Sequence, residues 1–213
     1  MLIFLVRHAE STWNRQKKIQ GQKDPPLSKY GKREAKLVGK RFRELPFDAV
    51  YSSPQRRALE TARSIVGSKA DICVDEDLRE ICLGEWEGKT ISQIRKTYGE
   101  GFERWVVRPD RLPIPGGEDF KAFVRRVKKA LRKIEKDHPN SNVLMVGHGG
   151  VISTYVTVVL NIKPVDVWCV TVKNASVTIV EVKDGMRRLV IFNDISHLMN
   201  LREIADKEVT HVD

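Results

Sequence analysis

Cysteine is scarce in this chain: three in 213 residues, at Cys73, Cys82 and Cys169, with no CxxC pair. So sparse and odd a set argues against a disulfide framework and points to reduced thiols, and no Cys/His cluster is tight enough for a zinc site. Long apolar runs are also missing. None approaches the roughly 20 residues of a membrane-spanning helix. The opening "MLIFLVRHAE" is too short for a secretory signal, and its charges follow the apolar stretch instead of preceding it. It reads as a first β-strand in a cytoplasmic protein with no membrane partner. Aromatics are few, at 7%, and acidic residues are outnumbered: 28 Asp and Glu against 38 Lys and Arg, a net charge of +10. Few aromatics with abundant Lys, Arg and Glu is the composition expected of a thermophilic source. The positive excess admits nucleic acid, a membrane surface or a small anionic substrate as partner.

What is present reads as a folded chain. Hydrophobic residues at 41% and charged residues at 31% argue against disorder, and the length suits one domain over residues 1–213. Strand-like and helix-like segments alternate. "LIFLV" (2–6) is a buried strand, and 28–42 is a helix with Ser28 as N-cap. A strand over 48–53 leads into a helix over 53–67, with Ser53 as N-cap, Pro54 in the first turn and Gly67 near the end. A third strand lies within 70–78. Two short helices, "ISQIRKTYG" and "GFERWV", and a proline- and glycine-rich loop over 108–118 follow. From Glu118 to Asp137 the apolar positions Phe120, Phe123, Val124, Val127, Leu131 and Ile134 form one stripe of a long helix that Pro139 stops. "NVLMVGHGG" (142–150) repeats the opening pattern of strand, then histidine, then turn into a helix. Asp184-Gly185 between two alternating runs marks a terminal hairpin. The alternation predicts a three-layer α/β/α sandwich with a mainly parallel central sheet and an antiparallel edge strand.

In such a sheet ligands bind beyond the carboxyl ends of the strands. Those ends carry Arg7 and His8, then Ser52, Ser53 and Arg57, then Arg79 and Glu80, then His148 with Gly149 and Gly150. Arginine forks match phosphate oxygens, and helix N-termini after Ser53 and Gly149 add anion donors. A histidine among cations resists protonation and can attack phosphorus, and a lone carboxyl can protonate the leaving alkoxide. No carboxylate pair of the kind that grips Mg²⁺ accompanies the set, although Asp75, Glu76 and Asp77 lie nearby. The residues point to covalent phosphohistidine chemistry without metal or cofactor.

"LVRHAESTWN", "QGQKDPPLSKYGKREA", "YSSPQRRALETA", "LREICLGEWEGKTISQI", "PIPGGEDF" and "VLMVGHGG" stand in this order over about residues 2 to 160. Together they resemble the signature of the histidine phosphatase superfamily, which includes the cofactor-dependent phosphoglycerate mutases. The resemblance implies a phosphoglycerate mutase-like fold. It also implies site roles: His8 as nucleophile, Glu80 as proton donor and later base, and Arg7, Arg57, His148 and Asn14 as phosphate ligands. The glycine usual after the nucleophile is Ala9 here, a small residue that needs only φ < 0 to fit without strain.

Other readings compete at several positions. Arg56 is the solvated neighbour of Arg57, and Glu85 and Glu87 are rivals of Glu80. Trp86 is expected to pack beneath the site and His138 to sit at a helix end. His197 and His211 belong to the tail. The basic run "RRVKKALRK" (125–133) lies opposite the apolar stripe and reads as a solvated face, so no nucleic-acid partner is expected.

Three functions fit: a phosphomonoester phosphatase, a phosphoglycerate mutase, and a non-catalytic binder of phosphorylated ligands. The 67 residues between Glu80 and His148 favour the first, since the resemblance implies a longer insertion there in mutases. The expected partner is a small phosphorylated metabolite. The terminal hairpin serves equally as a free edge or as a homo-oligomer interface.

Overall fold

In the computed structural model, which describes residues 1–199 and Leu201, the opening strand β1 (Leu2–Arg7) divides its side chains between two cores. Ile3 and Leu5 face one, and Phe4 and Val6 face the other. A strand buried on both faces has no polar side to show, so it reads as a continuous apolar run. The same holds for β4, as introduced below. Along the chain β1 is followed by α1 (Thr12–Arg15), α2 (Lys29–Arg41), β2 (Ala49–Ser52), α3 (Arg56–Val66) and β3 (Cys73–Val74). Then come α4 (Ile91–Tyr98), α5 (Gly101–Val107), α6 (Phe120–Asp137), β4 (Asn142–Gly147), α7 (Gly149–Val159), β5 (Val177–Lys183) and β6 (Met186–Asp194). Among the described residues no helix is long and apolar enough to cross a membrane.

The six strands form one sheet in the order β3-β2-β4-β1-β5-β6. The first four run parallel; β5 runs against β1, and β6 runs against β5. The hairpin thus supplies the expected antiparallel edge. Its turn places Asp184 at φ 52 and Gly185 at φ 76, the left-handed pair that a tight two-residue hairpin demands. On one face α6 and α7 cover Ile3, Leu5, Val143 and Met145. On the other, α2 and α3 cover Phe4, Val6, Leu144 and Val146 through Ala35, Val38, Ala58 and Ala62.

The third strand lies within 70–78 as expected and is two residues long, Cys73–Val74, since the Asp75 side chain accepts from the Asp77 N–H at 2.8 Å and bends the chain into a 3-10 turn. Two local expectations are corrected. The helix after β2 starts at Arg56, not Ser53, and Pro54 lies before it. Gln55 stands at its N-cap without a side-chain cap, and the Ser53 hydroxyl, which accepts from the Gln55 N–H at 3.3 Å, meets His148 Nε2 at 2.8 Å. The long helix begins at Phe120, where Asp119 accepts from the Ala122 N–H at 2.8 Å. Ser28 caps α2 as expected, accepting from the Gly31 N–H at 2.9 Å.

The parallel register sets Arg7 beside Gly147 and Ser52 beside Val146. The ladder runs one residue further, through His8 N–H to the Gly147 carbonyl and Ser53 N–H to the Val146 carbonyl. His8, Ser53 and His148 are therefore delivered side by side at the carboxyl edge of the sheet. Truncating the central strand should be expensive. Leu5→Ala, at 0% exposure, is expected to cost about 2–5 kcal/mol in urea unfolding. Val190→Ala on the exposed edge strand should stay within about 0.5 kcal/mol of the parent.

Candidate active site

His8 leaves β1 directly into the site and is buried. Its Nδ1 lies 2.8 Å from the Ala9 carbonyl, an acceptor only, so Nδ1 carries the proton. Its Nε2 accepts from Arg57 Nε at 3.3 Å, and the ring lies 5.2 Å from that of His148. Burial, reinforced by the positive charges of Arg57 and Arg7, holds the His8 pKa well below the ordinary imidazole value. His148 is driven the same way, first by burial and then by Arg57, His8 and Arg7. Both rings are neutral at neutral pH. Burial outweighs the neighbouring cations as the cause, a contribution that charge patterning in the sequence does not show.

The cations around these rings are fixed by carbonyls. Arg57, at 1% exposure, donates to the Gly21 carbonyl at 2.8 Å and the Lys23 carbonyl at 2.7 Å. Burial lowers its pKa to about 10, which still leaves it charged at neutral pH. Arg7 donates to the Val172 carbonyl; burial lowers its pKa as well, opposed by the charges of Glu80 and Glu34. Two buried polar atoms here have no protein partner: Arg7 Nε and His148 Nδ1. His148 Nε2 meets the Ser53 hydroxyl at 2.8 Å.

Glu80 reaches the same region from the loop after β3. Its carboxylate accepts from the Gly150 N–H and the Ile81 N–H, each at 3.0 Å. The glycine pair that opens α7 makes room for this. A Cβ at Gly150 would stand 2.4 Å from Glu80 Oε1, and one at Gly149 would touch Arg7 Nε at 3.6 Å. Of the rival carboxylates, Glu85 is exposed and bonded to the Tyr98 hydroxyl, while Glu87 accepts from Gln22 and Leu83 N–H groups.

Arg7, His8, Arg57, Glu80 and His148 thus converge. Asn14 stands one contact further out. Its Oδ1 accepts from the Ser11 N–H at 3.0 Å and from Asn174 Nδ2 at 3.3 Å, and Asn174 also donates to the His8 carbonyl at 3.0 Å. Arg79 is half-exposed and pairs with Glu76, outside the group. Arg56 is exposed and pairs with Glu60. Trp86 packs against Tyr98, Phe102 and Trp105 within the 84–118 segment. Ala9 has no positive φ, and its methyl belongs to the core cluster that contains Leu27, Ala35 and Ala58. His138 bonds the Tyr51 hydroxyl, His197 ties Arg41 to the Ala175 carbonyl, and His211 lies outside the described residues.

Sequence reasoning missed Gln22, Gln55, Asn174 and Arg126, and gave Ser53 a different task. Gln55 joins the Gly21 carbonyl to the Glu80 N–H, a bridge between segments that no local spacing announces. Arg126 was hidden in the basic run and turns inward from it, with its side chain 17% exposed.

The histidine phosphatase superfamily (branch 1) family model matches residues 3–195, and the chain belongs to that family. It is 33% identical over 208 residues to phosphoserine phosphatase 1 of Hydrogenobacter thermophilus, covering 97% of this chain and 99% of that protein. It is 35% identical over 162 residues to a probable phosphoglycerate mutase, GpmB, of Salmonella choleraesuis, covering 75% of each. The structure is similar to Bacillus stearothermophilus YhfR, with a TM-score of 0.86, 34% identity, and coverage of 92% of this chain and 98% of that one.

The two neutral imidazoles make stability depend on acid. When the unfolded chain protonates its histidines near their ordinary value of about 6.5, the folded chain does not follow. Unfolding free energy is therefore full above that value and falls as pH drops through and below it. The urea midpoint should decrease between about pH 7.5 and about pH 5, and His148→Gln should flatten part of that slope.

Proposed function

We propose that the protein is a phosphomonoester hydrolase that acts on a small phosphorylated metabolite through a phosphohistidine at His8. The observation that carries this reading is a buried cluster of arginines and imidazoles with hydrogen-bonding atoms to spare. Arg7 Nε and His148 Nδ1 have no protein partner, and beside them His8 presents an unprotonated Nε2. A phosphoryl dianion supplies an acceptor to Arg7 Nε, another to His148 Nδ1 in the tautomer whose Nε2 accepts from the Ser53 hydroxyl, and an electrophile to the His8 lone pair. Arg7, Arg57 and His148 hold its oxygens. Asn14 adds its side-chain amide N–H, since its oxygen is already engaged.

His8 Nε2 attacks phosphorus, and the ester P–O bond breaks with its electron pair going to the leaving oxygen. Glu80, in its acid form, protonates that oxygen. Water then attacks the phosphohistidine and the Glu80 carboxylate takes its proton. The P–N bond breaks, and its electrons return to Nε2. The arginines neutralise the oxygens that gain charge in both steps, a task that preorganised donors in a dry site perform well. The scheme calls on no metal or cofactor.

A hydrolase is favoured over a mutase by the extent of the likenesses: the phosphatase-named relative is matched over 99% of its length, a phosphoglycerate mutase-like protein of Arabidopsis thaliana over 86% and the probable mutase over 75%. The mutase reading rests on the last two likenesses. One assay separates them. With chelator present, wild type is expected to release phosphate from p-nitrophenyl phosphate. His8→Ala is expected to lose activity by on the order of a thousandfold or more, and Glu80→Gln to lose about a hundredfold or more on phenyl phosphate, whose leaving oxygen needs the proton. Formation of 2-phosphoglycerate from 3-phosphoglycerate with little free phosphate would establish the mutase instead. No turnover of any ester would leave a binding protein.

A further inference from the structure

The scheme above uses the Glu80 carboxyl and leaves open what holds it in place. Glu80 lies in no helix or strand, and the strand before it is two residues long. Its main chain is instead gripped by side chains from distant segments. The Glu80 N–H donates to Gln55 Oε1 at 2.9 Å, and its carbonyl accepts from Gln22 Nε2 at 3.1 Å and from Arg126 at 3.0 Å.

Arg126 does the most. Its Nη1 donates to the carbonyls of Asp77 at 2.9 Å and Arg79 at 2.7 Å, in addition to the bond from Nη2 to Glu80. Its remaining edge forms a bidentate pair with Glu118, at 2.6 and 2.7 Å. Every guanidinium N–H is thereby used. The group also lies 4.9 Å over the Phe123 ring of its own helix. Glu118 closes the other side of the loop: its N–H donates to the Cys82 carbonyl at 2.9 Å, and its Oε2 accepts from the Cys82 N–H at 3.3 Å. One Arg–Glu unit from the long helix and the loop before it therefore holds residues 77, 79, 80 and 82, on both sides of the carboxyl group. An ion pair kept only for stability has no need of this aim, since apolar packing often serves as well.

We propose that Arg126, held by Glu118, is a positioning residue that sets the Glu80 carboxyl against the leaving oxygen. The proposal rests on the assignment of Glu80 as proton donor. Proton transfer needs hydrogen-bond reach, and a displacement of about 1 Å costs roughly a hundredfold in rate. A misplaced acid harms only substrates whose leaving group needs the proton.

The test compares kcat/KM for p-nitrophenyl phosphate, whose phenolate departs unaided, with that for phenyl phosphate, whose phenolate does not. Arg126→Met is expected to stay within about threefold of wild type on the first ester and to fall about tenfold or more on the second. Arg126→Lys, which keeps the charge and part of the hydrogen bonding, should recover part of the loss. Glu80→Gln, run alongside, should show the same selectivity more strongly. If Glu80→Gln treats both esters alike, the assignment of Glu80 fails and the proposal fails with it. If Glu80→Gln discriminates but Arg126→Met lowers both esters equally, or neither, Arg126 is structural only and the proposal is overturned. Glu118→Gln undergoes the same comparison and decides the matter if near-ultraviolet circular dichroism shows that Arg126→Met does not fold.

Discussion

Two guanidinium groups buried beside a neutral imidazole are the constraint to which the surrounding chain is fitted. Removing such a charge from water costs several kcal/mol unless hydrogen bonds replace the lost hydration. Here the replacement comes from carbonyls and not from a close carboxylate. Arg57 spends its donors on Gly21, Lys23 and His8, and Arg7 reaches Val172. The ion pair of Arg57 is a long one, 3.9 Å to a half-exposed Asp24. The pocket keeps its positive potential because carbonyl dipoles satisfy the donors without cancelling the charge. The segments that provide those carbonyls, around residues 21–23 and 172, are fixed for this reason although neither belongs to a helix or strand.

The same burial decides the state of the rings. An exposed histidine beside two arginines is pushed down by charge alone, through a screened interaction. In a dry pocket desolvation adds to that push and becomes the larger cause. The Ala9 carbonyl then selects the tautomer, leaving the lone pair on the nitrogen that faces Arg57. Electrostatics and hydrogen bonding act on different properties of one ring: the first keeps it neutral, the second decides which nitrogen is free.

The parts of this arrangement that are legible in the sequence are those governed by short periods. A doubly buried strand must be an uninterrupted apolar run, so β1 and β4 announce themselves, and the polar residues just beyond them mark the sheet's carboxyl edge. Arg57 is distinguishable from Arg56 because one helix position separates a core-facing side chain from a solvated one. Beyond those periods legibility fails. Ser53 looks like a helix cap because serine before a helix usually is one, yet its hydroxyl serves His148 from across the sheet. Gln55 and Asn174 act over separations that no window of neighbouring residues contains. Arg126 sits in a cationic run where most members are solvated, and one turn of helix angle distinguishes it. The length of β3 is likewise set locally, since a single Asp75 side chain replaces ladder hydrogen bonds with a turn.

Glu80 shows why fold and site are not separable here. His8 and His148 follow adjacent parallel strands, whose geometry the sheet enforces at no extra cost. The carboxyl comes from a loop, where backbone freedom alone would spread its position over more than the reach of a hydrogen bond. Its placement depends on contacts from residues 22, 55, 126 and 150, which belong to four different parts of the chain. Each of those contacts closes a long loop and becomes favourable only when the others have formed. The carboxyl is therefore correctly placed only in the completed fold. Small losses in any of these segments would reach the Glu80 carboxyl before they reached the core, whose apolar strands are held by many independent contacts.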